Sequence, residues 1–461
     1  MSGTFLQCRA DFLAETPARN CLQLLFDRDS FVEIDSFVSV DGKHCGVVCG
    51  YGTIHGELVC AFAQDGAGMG KAQAAKTAKL YDLALKTGVP VVGVYNSKGA
   101  RLTEGAGILD AYGELLLRVN NLSGVVPQIA LVTGDCVGTS AMLVCCADFV
   151  VMTKDAKFYM SPPSISNNDD KAADAGTAES AAAAGVAHIV EDNCEDACRT
   201  VRRMLGLLPL NNLAALPALD FLEPSEKLIP GTDHNDTPME DIAAAICDDG
   251  SLTEILGKFG AAAYAALATV GGQPVGVVAA KDKQDADSCV KISKLVSVCD
   301  AFQVPVLTFV DSTGFAPSAK AELCGAVREM AKLAHVYAEA TTPKIAVITA
   351  RACGAAYVAL AGRASNSDCT FAWPGAFISP LEPQTAVAIL YGDNITPEHT
   401  REEILREYIE DDASAFTAAQ NGYIDDIITP ELTRPAVISA LELLASKRVS
   451  KNPKKHGNMP I

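Results

Sequence analysis

One succession of segments occurs twice along the chain. "GYGTIHGELVCAFAQD", "TGVPVVGVYNSKGARLTEG" and "VVPQIALVTGDCVGTSAMLVCCADFVV" in the first half return in the same order as "ATVGGQPVGVVAAKD", "FQVPVLTFVDSTGFAPS" and "TTPKIAVITARACGAAYVALAGRAS". Pro127 and Pro343 stand 216 positions apart, as do Gly138 and Gly354, and Gly99 and Gly314 stand 215 apart. A near-constant offset over three anchors marks a duplicated unit rather than two generic halves. A chain of 461 residues exceeds what one ordinary core organises. The repeat therefore implies two domains of one fold, residues 1–225 and 226–461.

Within each copy, short apolar runs read as buried strands: Val91–Tyr95, Ile129–Thr133, Val304–Val310 and Ile345–Thr349. Between them lie stretches long enough for helices, Gln73–Thr87, Ile108–Leu122, Val290–Phe302 and Ala321–Ala340. Strands alternating with helices give a layered α/β architecture. Leu207–Pro238, which contains "PGTDHNDTP", reads as the linker between the copies, and "SKRVSKNPKKHGNMPI" reads as an extended tail.

Charge and composition exclude several classes of function. The net charge is −19, from 37 basic and 56 acidic residues, which argues against nucleic acid or an anionic membrane as the main partner. Met1–Arg9 lacks the basic start and apolar core of a signal peptide, and no long uncharged apolar run suggests a membrane span. A cytoplasmic location is the expectation. The 16 cysteines then read as small buried hydrophobes in a reducing compartment. Cys45/Cys49 and Cys194/Cys198 are spaced by three residues, and no metal site is expected from them.

No histidine sits in a GxSxG or HExxH setting, and His188 and His335 read as structural. "GAGMGKAQ" (Gly66–Gln73) has the wrong spacing for a phosphate loop, a Rossmann GxGxxG is lacking, and "VMTK" is remote from a biotin-attachment sequence.

Small-residue turns offer a different chemistry. "LVTGDCVGTSAMLV" (with Gly134, Gly138 and Thr139) and "VITARACGAAYVAL" (with Gly354, Ala355 and Ala356) each carry a strand through a turn into a helix. Turns also follow the neighbouring strands, at Asn96–Arg101 and Asp311–Pro317. Small side chains let a ligand approach the backbone, and a helix start leaves N–H groups without acceptors. Two such donors converging would form an oxyanion hole that stabilises an enolate without any catalytic side chain. Close helix–sheet packing is the other reason for glycine at such turns.

With "GYGTIHGELV", "NSKGARLTEG", "GVVPQIALVTGDCVG", "VPVLTFVDSTGF", "FAWP", "GYIDDIITPELTR" and "KKHGNMPI" in this order, the chain resembles the carboxyltransferase subunits of biotin-dependent acyl-CoA carboxylases and decarboxylases. The resemblance is to those of propionyl-CoA carboxylase and of the methylmalonyl- or glutaconyl-CoA decarboxylases, and it runs from about Pro17 to Ile461. It implies two tandem crotonase-like (ClpP/crotonase) domains of ββα spiral repeats, and a homo-oligomer of dimers assembled into a hexamer. Each active site of such an oligomer lies between the N-terminal domain of one chain and the C-terminal domain of its partner.

The resemblance further implies biotin on a separate biotin carboxyl carrier protein, coenzyme A as part of the substrate, and a biotin carboxylase or membrane decarboxylase subunits as partners. Carried over by position, the acyl-CoA oxyanion hole falls on Gly99, Ala100, Gly138 and Thr139. The biotin-side counterpart falls on Gly354, Ala355 and Ala356, with Gly314 and Phe315 nearby. Val358 falls where the family tunes acyl-chain size and Arg101 is a further substrate-binding candidate, while Lys98, which replaces a family glycine, reads either as a partner for a substrate carboxylate or CoA phosphate or as a surface lysine. In the implied mechanism carboxybiotin releases CO2, the biotin anion removes the acyl α-proton, and the enolate attacks CO2.

Departures from the family pattern cluster at these turns. "NSKGAR" stands for DSGGAR, "GDCVGTSA" for GPCAGGA, "CGAAYV" for YGGAYD and "STGFAPS" for VPGFLPG. They allow an active enzyme with a reshaped pocket or a degenerate paralogue kept as a structural subunit. A hydratase or isomerase using Glu104 is a further alternative on the same fold.

Overall fold

The computed structural model describes residues 13–161, 175–221, 237–316, 318–364, 367–392, 395–397, 399–450, 453–455 and 457–460. Two compact units divide the chain, Met1–Ala215 and Leu216–Ile461. The expected boundary at 225/226 and most of "PGTDHNDTP" lie outside the described residues, as does part of the C-terminal tail.

The first unit is built on an eight-stranded sheet. Its strands are β1 (Val32–Ile34), β2 (Val47–Ile54), β3 (Glu57–Gln64), β4 (Val91–Ser97), β5 (Gln128–Val137), β6 (Phe149–Thr153), β7 (Lys157–Tyr159) and β8 (Ile189–Glu191). Their order is β1-β2-β3-β4-β5-β6-β8, with β7 pairing to β5 beyond β6. The first three strands are antiparallel neighbours and the rest are parallel. Parallel neighbours need a crossover, supplied by α2 (Lys71–Thr87), α3 (Gly107–Leu122) and α4 (Thr139–Cys145); α1 (Pro17–Leu25), α5 (Ala178–Ala183) and α6 (Cys194–Gly206) complete the unit.

The second unit repeats this plan. Its strands are β9 (Thr253–Glu254), β10 (Ala263–Val270), β11 (Gln273–Gln284), β12 (Val306–Phe315), β13 (Lys344–Cys353), β14 (Cys369–Ala372), β15 (Phe377–Ser379) and β16 (Asp426–Ile427). The order β9-β10-β11-β12-β13-β14-β16, with β15 on β13, matches the first sheet position for position. α8 (Ala286–Ala301) links β11 to β12 after α7 (Met239–Ile246) opens the unit. The next crossover contains α9 (Ala319–Leu323) and α10 (Ala326–Glu339), and α11 (Gly354–Leu360) follows β13.

Local chemistry explains the shared plan. β2 and β3 are joined by His55–Gly56, and β10 and β11 by Gly271–Gly272, all four at positive φ. Two residues at positive φ make the hairpin turn whose twist suits antiparallel strands. α2 starts where the Gln73 side chain accepts from Gly70 N (2.7 Å) and Glu104 Oε2 accepts from Lys71 N (2.7 Å). It ends at Gly88, in the left-handed conformation at φ 65°, whose N–H reaches Ala84 O. α8 starts at Asp285, whose carboxylate accepts from Ser288 N (2.8 Å).

The parallel strands are buried on both faces, as their unbroken apolar runs require. Phe62, Tyr81, Tyr95 and Leu115 fill the first core, and Phe309, Val347, Trp373 and Leu441 the second. Each core also admits a lysine at the same place in its first crossover helix. Lys76 donates to Val47 O (3.0 Å) and Glu33 Oε1 (3.4 Å). Burial pushes the Lys291 ammonium below its ordinary range, and nearby Glu254 opposes the shift.

The structure differs from the sequence reading in two ways. The site strands outrun their apolar runs by several residues, continuing to Ser97, Val137, Phe315 and Cys353. The helix expected over Ala321–Ala340 is two helices, because Gly325 takes φ 90° and breaks it. Among the described residues no helix is long and apolar enough to cross a membrane.

Candidate functional site

In each unit two central parallel strands fall out of step at one place. β4 and β5 pair as far as Tyr95↔Val132 and resume at Ser97↔Cys136. β12 and β13 pair as far as Val310↔Ile348 and resume at Ser312↔Ala352. Two extra residues of the later strand are thereby taken up in a bulge, which bends the strand end and re-aims the turn beyond it. A shift of two keeps the alternation of side chains between faces, where a shift of one would invert it.

Beyond the bulge the expected turns come together. A Cβ built on Gly99 would stand 3.6 Å from Val137 O, and one built on Gly314 would stand 4.0 Å from Cys353 O. Gly99 (φ 92°) and Gly138 (φ 69°) both need the left-handed region, and among the described residues, chain neighbours aside, no atom lies within 4 Å of where a Gly138 Cβ would be. The turn at Gly138 therefore leaves room beside it among the described residues of its unit.

The hydrogen bonds sort the four expected residues of this niche. Gly99 N donates to Ser97 Oγ (3.3 Å) and Gly138 N to Tyr159 O (2.9 Å), so neither N–H is available. Met69 bridges the neighbours of Ala100, donating to Gly99 O (2.7 Å) and accepting from Arg101 N (2.8 Å). In a parallel bridge the intervening residue turns its own N–H the other way, so Ala100 N–H faces the side of β5. Thr139 opens α4, where an N–H has no acceptor within the helix. Ala100 N and Thr139 N donate to no acceptor among the described residues. The pair matches what a developing oxyanion requires: fixed donors from two adjoining turns. Ser140 under this turn is held by Tyr112 OH at 3.0 Å.

The second unit reproduces the arrangement with different side chains. Gly314 N donates to Ser312 Oγ, again at 3.3 Å. Phe315 stands opposite Gln284, which accepts from Ala316 N at 2.9 Å, so Phe315 N–H is turned toward the β13 side. Gly354 (φ 57°), Ala355 and Ala356 open α11 with their N–H groups unused by the helix. This niche is narrower, since a Gly354 Cβ would stand 3.1 Å from Pro380 O.

The charged residues lie beside the niches in different ways. Lys98 is exposed. Arg101 pairs with Glu104 at 3.2 Å, and the same Glu104 caps α2 through Lys71 N. Val358 is on α11 and 53% exposed. A pair that motif reading overlooks braces the second niche: the Arg351 guanidinium engages the buried Asp311 through Nε and Nη2, and Asp282 through Nη2 at 2.6 Å. Asp311 also accepts from Arg351 N at 3.2 Å. The pairing with Asp311 holds Arg351 protonated well above even its usual range. At the equivalent place in the first unit the uncharged Asn96 fills the space a Gly134 side chain would take.

The family described as carboxyl transferase domain matches residues 15–459. The alpha subunit of methylmalonyl-CoA decarboxylase from Veillonella parvula is 36% identical over 96% of this chain and 93% of that protein. The mitochondrial propionyl-CoA carboxylase beta chain of Sus scrofa is 36% identical over 96% of this chain and 88% of that protein. A crystal structure of transcarboxylase 12S, a hexamer with hydrolysed methylmalonyl-coenzyme A bound, superposes with a TM-score of 0.93 at 31% identity. The match covers 100% of this chain and 98% of that one.

Proposed function

Given that the chain belongs to the carboxyl transferase domain family, as a carboxyltransferase built of two tandem crotonase-like domains, we propose that it works on a propionyl- or methylmalonyl-like acyl-CoA with biotin as the carboxyl carrier. The observation that carries this reading is the pair of uncommitted donors, Ala100 N–H and Thr139 N–H, at the turns where the family's acyl-CoA site falls. Both survive the departures from the family pattern, because a backbone N–H does not depend on the side chain it belongs to.

In this proposal the thioester oxygen sits between those two donors, which hold the negative charge that develops as the α-carbon loses or gains its carboxyl group. Ser97 and Tyr159 keep Gly99 and Gly138 in place, so the donors need no rearrangement during the reaction. The second niche offers backbone donors from Ala355 and Ala356 at the start of α11, and this set fits the ureido carbonyl of biotin. When bound on its carrier protein, biotin supplies or takes up the carboxyl group. The partners implied are a biotin carboxyl carrier protein and either a biotin carboxylase or membrane decarboxylase subunits, with dimers of the chain assembled into a hexamer.

The hydratase reading is disfavoured by Glu104, which is committed to Arg101 and to the start of α2. The test is transcarboxylation with free biotin. Malonyl-, methylmalonyl- and glutaconyl-CoA are each incubated with the protein and followed by mass spectrometry. Biotin-dependent loss of methylmalonyl-CoA is expected. A folded, oligomeric protein that consumes none of the three is a degenerate structural subunit instead.

A further inference from the structure

Three cysteines from two distant parts of the chain meet in the first unit, on elements that take no part in the donor niche. Cys194 and Cys198 lie one turn apart on one face of α6, and Cys21 comes from α1. The sulfurs stand 2.9 Å (Cys21–Cys194), 3.7 Å (Cys21–Cys198) and 4.0 Å (Cys194–Cys198) apart. Cys21 and Cys198 are buried and Cys194 is half-buried, so the group is closed toward the core and open on one side. α1 and α6 are held together around it by Arg202, which donates to Leu25 O (2.7 Å) and pairs with Asp27 (2.7 Å).

We propose that Cys21, Cys194 and Cys198 form a three-thiolate site for a thiophilic cation of the zinc class, which staples the N-terminal helix to α6. Zinc binds thiolates at about 2.3 Å in tetrahedral geometry, which places ligand sulfurs about 3.8 Å from one another. Two of the three separations already have that value within a few tenths of an ångström. The third opens by a rotation of Cys194, the one member of the set with free space beside it.

The donor set is all sulfur, which selects soft metals over magnesium or calcium. Each thiol gives up its proton as its sulfur–metal bond forms. Three protein ligands leave a fourth position, on the open side, for water or an exogenous group. A disulfide would join two of these sulfurs and leave the third without a role, whereas all three converge.

Metal analysis of the reduced, anaerobically purified full-length protein tests the site directly. One equivalent of zinc per chain is expected after desalting. Replacement by Co2+ is expected to give an intense thiolate-to-metal charge-transfer band in the near ultraviolet. In Cys194→Ser/Cys198→Ser affinity for Co2+ falls by about 100-fold or more, while the exposed Cys324→Ser leaves it unchanged. Should the double variant fail to fold, the wild-type cobalt spectrum decides, because the charge-transfer band reports sulfur ligation by itself. Wild-type protein that takes up neither zinc nor cobalt overturns the proposal. So does a double variant that retains the metal, or a non-reducing peptide map showing a Cys21–Cys194 disulfide in place of it.

Discussion

Thr139 shows how a side-chain change leaves the backbone N–H of a turn in place. It opens α4, a helix position that proline tolerates because its fixed φ suits the helix and its N–H has no partner there. Thr139→Pro therefore deletes one proposed donor and little else. Turnover of the preferred acyl-CoA with biotin is expected to fall by about 10²- to 10³-fold, with the melting temperature nearly unchanged. Equal activity in this variant removes Thr139 from the mechanism.

Asp248 provides a test of a different kind. It accepts from Gly271 N (2.9 Å) and Gly272 N (2.8 Å) and pairs with the buried Arg434 at 2.6 Å. Desolvation acts to raise its pKa, but these bonds and Thr269 win, and its carboxyl is held below the usual range. A depressed pKa contributes stability above the ordinary carboxylate value that is lost as pH falls through and below about 4. Asp248→Asn should cost about 3 kcal/mol at neutral pH by urea unfolding, and the gap from wild type should close as the pH is lowered toward about 2.

The glycines of both niches are legible in the sequence, because small residues at matching places in two copies point to a turn that both copies need. The donors themselves are less so, for which N–H is spent on Ser97 or Tyr159 depends on pairings formed only in the fold. Asp311 and Arg351 lie 40 positions apart, and no local pattern pairs them.

At the scale of elements, the turns are where sequence and conformation bind each other most tightly. Gly272 has φ 76°, and a Cβ there would meet Leu219 O at 2.1 Å. The corresponding hairpin of the first unit tolerates His55 at φ 55°. Gly272→Ala is expected to destabilise by more than about 1 kcal/mol in chemical denaturation, while His55→Gly stays within about 1 kcal/mol of wild type. Gly325→Ala, at the break between α9 and α10, is expected to cost about 1 kcal/mol through its positive φ, read as a lower melting temperature.

That break is also where periodicity misleads. The residues on both sides suit a helix, and only a single glycine separates two helices from one. The strands mislead in the opposite direction: the unbroken apolar run of β5 stops near Thr133, but its hydrogen-bonded ladder continues through Asp135–Val137 to pair with β7. An unbroken apolar run reports the strand's central stretch, and the ladder continues past it into mixed sequence, with Cys136, Ala352 and Cys353 still buried.

At the scale of the molecule, the proposed assembly has a simple signature. Six chains of 48.2 kDa give a particle of about 290 kDa, measurable by sedimentation velocity. A species of one or two chains at micromolar concentration counts against the hexamer. The tandem plan is legible from three pairs of residues at a near-constant offset, because a duplicated fold repeats its turns even where its surfaces diverge. The meeting of Cys21 with Cys194 and Cys198 is not, since it joins one pattern on a helix to a lone residue 173 positions away.

The two-residue bulge between β4 and β5 recurs between β12 and β13, with the same serine holding the same glycine after it. A peculiarity found at one place in both halves is inherited from before the halves existed. The ancestor was then a single unit that already carried the bulge and the turn beyond it. Its descendant fused the two and let each specialise, so the asymmetry between Thr139 and Ala355 is the younger feature and the backbone around them the fossil.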